Sequence, residues 1–285
     1  MRGLSGLLLM LSPLCRATRV AAFSNPSSFN TIKCSSSSPP STPIVRASVS
    51  SMSSRRLETV AGDGVGGSGI TLVPTGGDYK NVVVWLHGLG DTASGWSASI
   101  PEFRMPNTKF ILPTAPERPI TLNGGMRMPG WSDIIGLSDD SPEDREGFNE
   151  SAARVRSIIE SEKAKGKDFS RMVVGGFSQG GAVALHVCLR SPEMLAGCIG
   201  CSSWVPLNKD YPGALSTAAK EIPVSQFHGT RDEVVRFTWG QHSHNLMKDG
   251  LGMKAEFTAI PGMGHSACGE EMEAIGDFLK KILPE

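Results

Sequence analysis

The 285-residue chain carries 28 lysine and arginine residues against 28 aspartate and glutamate residues, so its net charge favours neither a nucleic-acid-binding protein nor an acidic solvating segment. With 39 % hydrophobic residues, 33 glycines and 19 prolines, the composition is that of a turn-rich globular protein and excludes collagen and complete disorder. No apolar run approaches the roughly 18 residues of a spanning helix, so the sequence does not predict an integral membrane protein.

The first 57 residues differ in composition from the rest. They carry seven basic side chains and no acidic one, which leaves 21 basic against 28 acidic residues in positions 58–285. Such a basic, serine-rich, acid-free segment is typical of organelle transit peptides, and the apolar stretch from Leu4 to Leu14 resembles the start of a secretory signal. We therefore predict a disordered targeting leader over residues 1–57, a folded domain over 58–285, and delivery to an organelle, with a plastid favoured. A disordered extension on a cytoplasmic protein is the alternative.

From about Thr59 the sequence alternates short apolar runs with longer amphipathic segments. This alternation predicts an α/β fold with a mostly parallel central sheet flanked by helices on both faces. The predicted strands are Asn81 to Leu86, Phe110 to Leu112, Arg171 to Gly175, Ala196 to Cys201, Val224 to His228 and Ala255 to Ile260. The predicted helices run from an N-cap at Ser141 to a stop at Gly166, from Gln241 to Lys248, and from Glu270 to Leu283.

Two segments without helical or strand periodicity are candidates for binding an apolar ligand. The stretch from Thr114 to Asp140 is long for a loop in a compact domain, and loops of that length are usually functional. Its apolar residues, together with a turn near residue 204, offer a channel for an alkyl chain, with core packing as the alternative for each. These candidates are Trp131, Ile134, Ile135, Leu137, Trp204 and Val205.

The strongest chemical signal is the pentapeptide Gly-Phe-Ser-Gln-Gly at 176–180. It follows a predicted strand and opens a helix of small residues, which is the context of a nucleophile elbow. Such an elbow places the serine on a strained turn above the sheet, while the flanking glycines allow helix and strand to approach closely. The sequence therefore predicts Ser178 as a catalytic nucleophile.

A serine nucleophile needs a base and an orienting carboxylate, which on this fold follow it in the order acid, then histidine. Asp232 comes just after the strand that ends near His228, and His265 lies in a glycine-rich loop after the next strand. Glu233 is the alternative acid. His228 is predicted to pack or to bond locally, since it lies at a strand end.

Acyl transfer also needs N–H donors where the tetrahedral oxygen becomes negative. The backbone N–H of Leu89, in the glycine-rich stretch after the first predicted strand, is one candidate. The backbone N–H of Gln179, at the helix start after the serine, is the other. Cys198 and Cys201 form a C-x-x-C inside an apolar strand, so we interpret them as buried thiols and not as a zinc or redox site.

Six motifs follow one another along the domain. They are Trp-Leu-His-Gly-Leu-Gly-Asp at 85–91, Pro-Gly-Trp-Ser-Asp-Ile-Ile-Gly-Leu-Ser at 129–138, Gly-Gly-Phe-Ser-Gln-Gly-Gly at 175–181, Ser-Trp-Val-Pro-Leu at 203–207, His-Gly-Thr-Arg-Asp-Glu-Val-Val at 228–235 and Gly-Met-Gly-His-Ser at 262–266. From about Asn81 to the C-terminus the chain thereby resembles the acyl-protein thioesterases, a lysophospholipase and carboxylesterase group of α/β-hydrolases.

The resemblance implies the triad Ser178, Asp232 and His265, oxyanion N–H groups at Leu89 and Gln179, and no metal or organic cofactor. It also implies hydrolysis of fatty acyl thioesters or esters, with an S-acylated protein or a lysophospholipid as substrate. We expect no nucleic-acid partner, peripheral membrane contact, and a monomer or weak dimer. A short-chain carboxylesterase is the alternative activity, and a non-catalytic receptor with this fold is the alternative of another class.

Overall fold

The structure, a computed structural model, describes residues 56–138 and 141–283. Residues 1–55 of the predicted leader lie outside the described residues, and the leader stays a prediction. The strands are β1 (Leu57–Ala61), β2 (Gly69–Pro74), β3 (Asn81–Leu86), β4 (Thr108–Pro113), β5 (Glu117–Ile120), β6 (Met126–Pro129), β7 (Met172–Phe177), β8 (Gly197–Cys201), β9 (Val224–Gly229) and β10 (Ala255–Ile260). The α-helices are α1 (Ala93–Ser97), α2 (Arg145–Ala164), α3 (Gln179–Leu189), α4 (Phe237–Asn245) and α5 (Gly269–Ile282).

Eight of these strands form one sheet in the order β1-β2-β4-β3-β7-β8-β9-β10. The six strands from β4 to β10 in that order run parallel, whereas β1 and β2 are antiparallel to their neighbours. The predicted mostly parallel sheet is therefore confirmed. Loops at the carboxyl ends of its parallel strands meet at one edge, where open α/β sheets bind ligands.

The helices cover both faces of the sheet because its central strands are apolar on both sides. All six residues of β3 are buried. Since successive side chains of a strand point to opposite faces, Val82 and Val84 pack in one cluster with residues of α2 and α3. Val83 and Trp85 pack in another cluster with residues of α1 and α5. This two-sided core explains why the strand reads as a continuous apolar run.

All six predicted strands are present, two of them with the predicted bounds. The sequence did not predict β1 and β2, and four of the five residues in β1 are exposed, so no apolar run marks that strand. The predicted loop from Thr114 to Asp140 also contains the antiparallel pair β5 and β6. That pair was missed because only one of its eight residues is buried and each strand contains a proline.

The helix predicted to start at Ser141 begins three residues later. Asp144 is its N-cap, and its side chain accepts a hydrogen bond of 3.0 Å from the N–H of Gly147. The Ser141 hydroxyl instead accepts the N–H of Ser138, 3.1 Å away. The prediction of Ser141 as N-cap is wrong because the chain offered two capping side chains, and only Asp144 reaches the first turn.

The remaining helices agree with the sequence in type and differ in their ends. The helix predicted from Gln241 to Lys248 starts at Phe237 as α4 and continues as a π-helical turn over Leu246–Gly250. Cys198 and Cys201 are buried in β8, as predicted. Among the described residues, no helix combines the length and apolarity required to cross a membrane.

Candidate active site

Ser178 lies on the turn between β7 and α3 with φ of 54° and ψ of −122°, a conformation that non-glycine residues rarely adopt. Its N–H donates to the carbonyl of Cys201 at 2.8 Å. The turn requires glycine at position 180, where a Cβ would lie 2.3 Å from the carbonyl oxygen of Leu86. The predicted strand, strained turn and helix around Ser178 are therefore confirmed, and the contacts that surround the turn hold its strain in place.

His265 and Asp232 lie on the loops that follow β10 and β9. The Oγ atom of Ser178 is 2.9 Å from Nε2 of His265, and Nδ1 of His265 is 2.8 Å from Oδ2 of Asp232. Because an ionised carboxylate only accepts hydrogen bonds, Nδ1 of His265 donates to Asp232 and Nε2 accepts from the Ser178 hydroxyl. The structure thus joins the three residues in the tautomer that allows an imidazole to take a proton from a serine.

Asp232 is held in its charged form. Burial by itself raises the pKa of this carboxyl, but hydrogen bonds with His228 and His265 outweigh burial and bring the pKa to about 2. The Oδ1 atom also accepts the N–H groups of Val234 and Val235, each at 3.0 Å. Asp232 is therefore a fixed negative charge at neutral pH, suited to stabilising an imidazolium at His265.

His228 and Glu233, the alternative acid, occupy other places. His228 is buried at the end of β9, where its Nε2 atom donates to the Val235 carbonyl at 2.8 Å and lies 3.4 Å from Oδ2 of Asp232. It bonds locally, as predicted. Glu233 is exposed to solvent, so the buried carboxylate beside His265 is that of Asp232.

The two predicted oxyanion donors border the Ser178 turn. A Cβ on Gly88 would lie 3.4 Å from the Cβ atom of Ser178, which places the loop containing Leu89 beside the serine. Gln179 is the first residue of α3, so its N–H has no partner within the helix and lies at the positive end of the helix dipole. Backbone N–H groups in these positions are suited to binding a negative oxygen.

Trp131 was predicted to line a channel for an alkyl chain, but the structure places it in the core. It is fully buried, and its Nε1 atom donates to the His87 carbonyl at 2.8 Å. The Gln179 side chain accepts the N–H of Trp131 at 2.9 Å and donates to the carbonyl and Oγ of Ser132 at 2.7 and 3.0 Å. Because a carbonyl satisfies the indole N–H, Trp131 can be buried completely. It braces the loop against α3, and its complete burial leaves it no surface to offer an alkyl chain.

A cavity of about 710 Å³ lies between the predicted loop, the turn after β8 and α4. Five of the six residues predicted to bind an alkyl chain line it: Ile134, Ile135, Leu137, Trp204 and Val205. Its volume falls within the range of about 300–1,000 Å³ that is usual for small-molecule sites. Among the described residues that form its wall, none is Ser178, His265 or Asp232.

Two residues that adjoin the cavity lining in sequence contact the first turn of α3. One wall continues from Ser132, which is hydrogen-bonded to the first residue of α3, into Ile134. The other wall continues from Ser203 into Trp204, and a Cβ on Gly181 would lie 2.8 Å from the Cβ of Ser203. Through Ser132 and Ser203, both walls are therefore connected to the first turn of α3, the helix that follows Ser178.

Glu143 is a site residue that the sequence analysis missed. Its Oε1 atom accepts Nε1 of Trp204 at 3.0 Å, and its Oε2 atom accepts the N–H of Leu207 at 2.6 Å. Arg145 and Asp210 add a two-bond ion pair at 2.5 and 2.8 Å. These contacts tie together the two segments that enclose the cavity. The partners lie more than 60 residues apart in sequence, so no local pattern connects them.

Comparisons with known proteins show the family of the chain. Residues 70–283 match the phospholipase/carboxylesterase family. The chain is 40 % identical over 225 residues to acyl-protein thioesterase 1 of Neurospora crassa, covering 75 % of this chain and 91 % of that protein. It resembles the crystal structure of Arabidopsis thaliana SOBER1 with a TM-score of 0.68 at 33 % identity, covering 71 % of this chain and 99 % of that one. It resembles Zea mays acyl-protein thioesterase 2 with a TM-score of 0.68 at 32 % identity, covering 75 % and 97 %.

Proposed function

Because the chain belongs to the phospholipase/carboxylesterase family, we propose that it is a serine hydrolase that removes fatty acyl groups from S-acylated proteins. The observation that carries the proposal is the continuous chain of hydrogen bonds from Ser178 through His265 to Asp232, at 2.9 and 2.8 Å. Relatives named as acyl-protein thioesterases support the thioester as the bond that is cleaved.

The first half of the reaction transfers the acyl group to the enzyme. Nε2 of His265 takes the proton of the Ser178 hydroxyl as Oγ attacks the thioester carbonyl carbon. The carbonyl oxygen becomes negative and is held by the N–H groups of Leu89 and Gln179. The tetrahedral intermediate then collapses, the carbon–sulfur bond breaks, and His265 returns the proton to the departing cysteine thiolate.

The second half releases the fatty acid. His265 takes a proton from a water molecule, and the resulting hydroxide attacks the carbonyl carbon of the acyl-enzyme. Collapse of this second intermediate breaks the bond to Ser178 and returns the proton to Oγ. Asp232, ionised throughout, stabilises the imidazolium that forms in each half.

The cavity supports a long acyl chain as the preferred substrate. Apolar side chains on both walls offer burial to successive methylene groups, each worth about 0.8 kcal/mol. A two-carbon acyl group does not extend into this space and gains nothing from it. The acyl chain of a lysophospholipid would occupy the same cavity, but the bond that is cleaved would be an oxygen ester. The substrate of a short-chain carboxylesterase would not occupy the cavity.

One substrate series tests the preference. We measure kcat/KM for acyl thioesters of two, eight and sixteen carbons, together with the oxygen esters of the same acyl groups. We expect the value to rise with chain length and to be higher for thioesters. A maximum at two carbons contradicts the long-chain preference and favours the carboxylesterase, whereas equal use of the sixteen-carbon oxygen ester and thioester favours the lysophospholipase.

Labelling with a fluorophosphonate tests whether the protein is a hydrolase at all. Such probes bond covalently to an activated serine, so we expect Ser178 in the native protein to be labelled. The variant Ser178→Ala is the matched control. An unlabelled native protein, or labelling that persists in Ser178→Ala, contradicts the hydrolase and favours a receptor that uses this fold without catalysis.

We further propose that the basic leader directs the protein to an organelle. A plastid is favoured, and the cytoplasm is the alternative location. Fusing residues 1–57 to a fluorescent protein tests this, and a diffuse cytoplasmic signal without shortening of the fusion contradicts it. Peripheral membrane contact and a monomeric or weakly dimeric state are also proposed. Vesicle flotation and sedimentation at several protein concentrations measure them directly.

A further inference from the structure

His87 follows β3 and lies beneath the loop that carries Leu89. Only 1 % of this side chain is exposed, and its ring lies 5.1 Å from that of Trp131, centroid to centroid. The proposed reaction does not use it. Both ring nitrogens are in hydrogen bonds, as is usual for a buried polar group. Because the ring lies close to the active site, these bonds can position groups that take part in the reaction.

The hydrogen bonds of His87 define its tautomer. The N–H of Ala115 donates to Nε2 at 3.0 Å, so Nε2 carries no proton. Nδ1 therefore carries the proton of the neutral ring and donates it to the carbonyl oxygen of Gly88 at 2.7 Å. Burial lowers the pKa of His87, which agrees with a neutral ring at physiological pH.

The hydrogen bond from His87 orients the peptide group that contains the Leu89 N–H. The carbonyl of Gly88 and the N–H of Leu89 belong to the same planar trans peptide, in which the two groups point in opposite directions. The N–H of Asp91 donates to the same carbonyl at 3.2 Å across a tight turn. Gly90, with φ of 79°, fits the position of a type II turn that requires a positive φ.

We propose that His87 is a positioning residue whose Nδ1–H aims the Leu89 N–H at the acyl oxygen in the transition state. The inference rests on the proposed function. Without this donor, only the longer bond from the Asp91 N–H, at 3.2 Å, holds the peptide between Gly88 and Leu89, and the oxyanion loses part of a preorganised N–H. Such a loss affects the transition state and leaves ground-state binding of the acyl chain unchanged.

Two substitutions of similar size separate the two ring nitrogens. In His87→Asn the side-chain amide nitrogen lies near the former Nδ1 position and can still donate to the Gly88 carbonyl. In His87→Gln the longer side chain places an oxygen near the former Nε2 position, where it accepts the N–H of Ala115, but it offers no donor to Gly88. Each variant loses one hydrogen bond, so each is the control for the other.

We expect His87→Gln to lower kcat at least tenfold, less than the roughly 100- to 1,000-fold effect of deleting an oxyanion donor outright. We expect KM for a sixteen-carbon thioester to stay within about twofold, since the acyl cavity is unchanged. A long-chain trifluoromethyl ketone places a negative oxygen in the oxyanion site when Ser178 adds to it. Its inhibition constant should rise by the same factor as kcat/KM falls, and His87→Asn should recover most of the loss.

Three results would overturn the inference: equal kcat in the two variants, a loss confined to KM, or unchanged affinity of His87→Gln for the trifluoromethyl ketone. Nitrogen-15 NMR of the histidine rings in the native protein provides a measurement that does not depend on how the variants fold. It should show the proton of His87 on Nδ1, and a proton on Nε2 would refute the inference.

The experiment separates this inference from the proposed function. If the native protein is neither labelled by a fluorophosphonate nor active on thioesters, the proposed function fails, whatever the His87 variants do. If the native protein is labelled and active but the two variants have equal kcat, only the positioning role of His87 fails.

Discussion

Glu271 provides a test of buried electrostatics close to the site. This residue of α5 is fully buried, and burial raises the pKa of its carboxyl to about 8, although contacts with the Cys201 thiol and the Cys268 N–H oppose the rise. The carboxyl titrates at 4.5 in the reference state. At about 1.36 kcal/mol per pH unit, ionisation of Glu271 does not change the free energy of unfolding below pH 4.5 and lowers it by about 5 kcal/mol above pH 8.

Replacing Glu271 with glutamine removes this pH-dependent cost. A raised folded pKa means that the wild type loses stability as the pH rises from about 4.5 to about 8. The free energy of unfolding of Glu271→Gln, relative to the wild type, should therefore increase by about 3–4 kcal/mol between pH 5 and pH 8. The amide has its own cost of burial, but that cost does not vary with pH.

Urea unfolding followed by tryptophan fluorescence at pH 5, 6.5 and 8 measures the effect. Glu273→Gln is the matched control, because Glu273 lies on the same helix, changes the charge equally and is exposed. We expect that control to change stability by less than about 0.5 kcal/mol at every pH. A difference between Glu271→Gln and the wild type that is independent of pH would refute the reasoning.

Three other predictions follow from the site and its supports. Asp232→Asn should lower kcat by about 10⁴-fold with the fold intact, because an amide favours the wrong imidazole tautomer; thioester hydrolysis within tenfold of the wild type would contradict this. Gly180→Ala should lower the free energy of unfolding by about 1–3 kcal/mol, since its Cβ would meet the Leu86 carbonyl at 2.3 Å. Gly269→Ala is the control, because its added Cβ meets nothing within 4 Å. If urea unfolding shows that the two variants lose the same stability, the clash is not the cause. Glu143→Ala should lower kcat/KM for a sixteen-carbon thioester more than for a two-carbon one, because it frees one wall of the cavity; equal losses would show that the wall does not select for chain length.

Sequence patterns predicted strands and turns correctly where a residue's environment depends on its neighbours in sequence or on a regular run of apolar residues. The apolar run from Asn81 to Leu86 predicted a strand buried on both faces, and β3 has those bounds. The glycines around Ser178 predicted a tight strand-to-helix turn, because only glycine at 180 allows the observed approach to β3. Exposed strands such as β1 escaped prediction, since solvent-facing side chains leave no apolar signature.

The sequence by itself determined the fold class, the nucleophile turn and the candidate acid and base, because each depends on short motifs at strand ends, and parallel strands bring those ends to one edge. Only the tertiary structure decided that Trp131 braces α3 from within, that Glu143 holds Trp204, and that Ala115 sets the tautomer of His87. These contacts join residues 28 to 61 positions apart. Their partners are selected by packing between distant segments, for which neighbouring residues carry no signal.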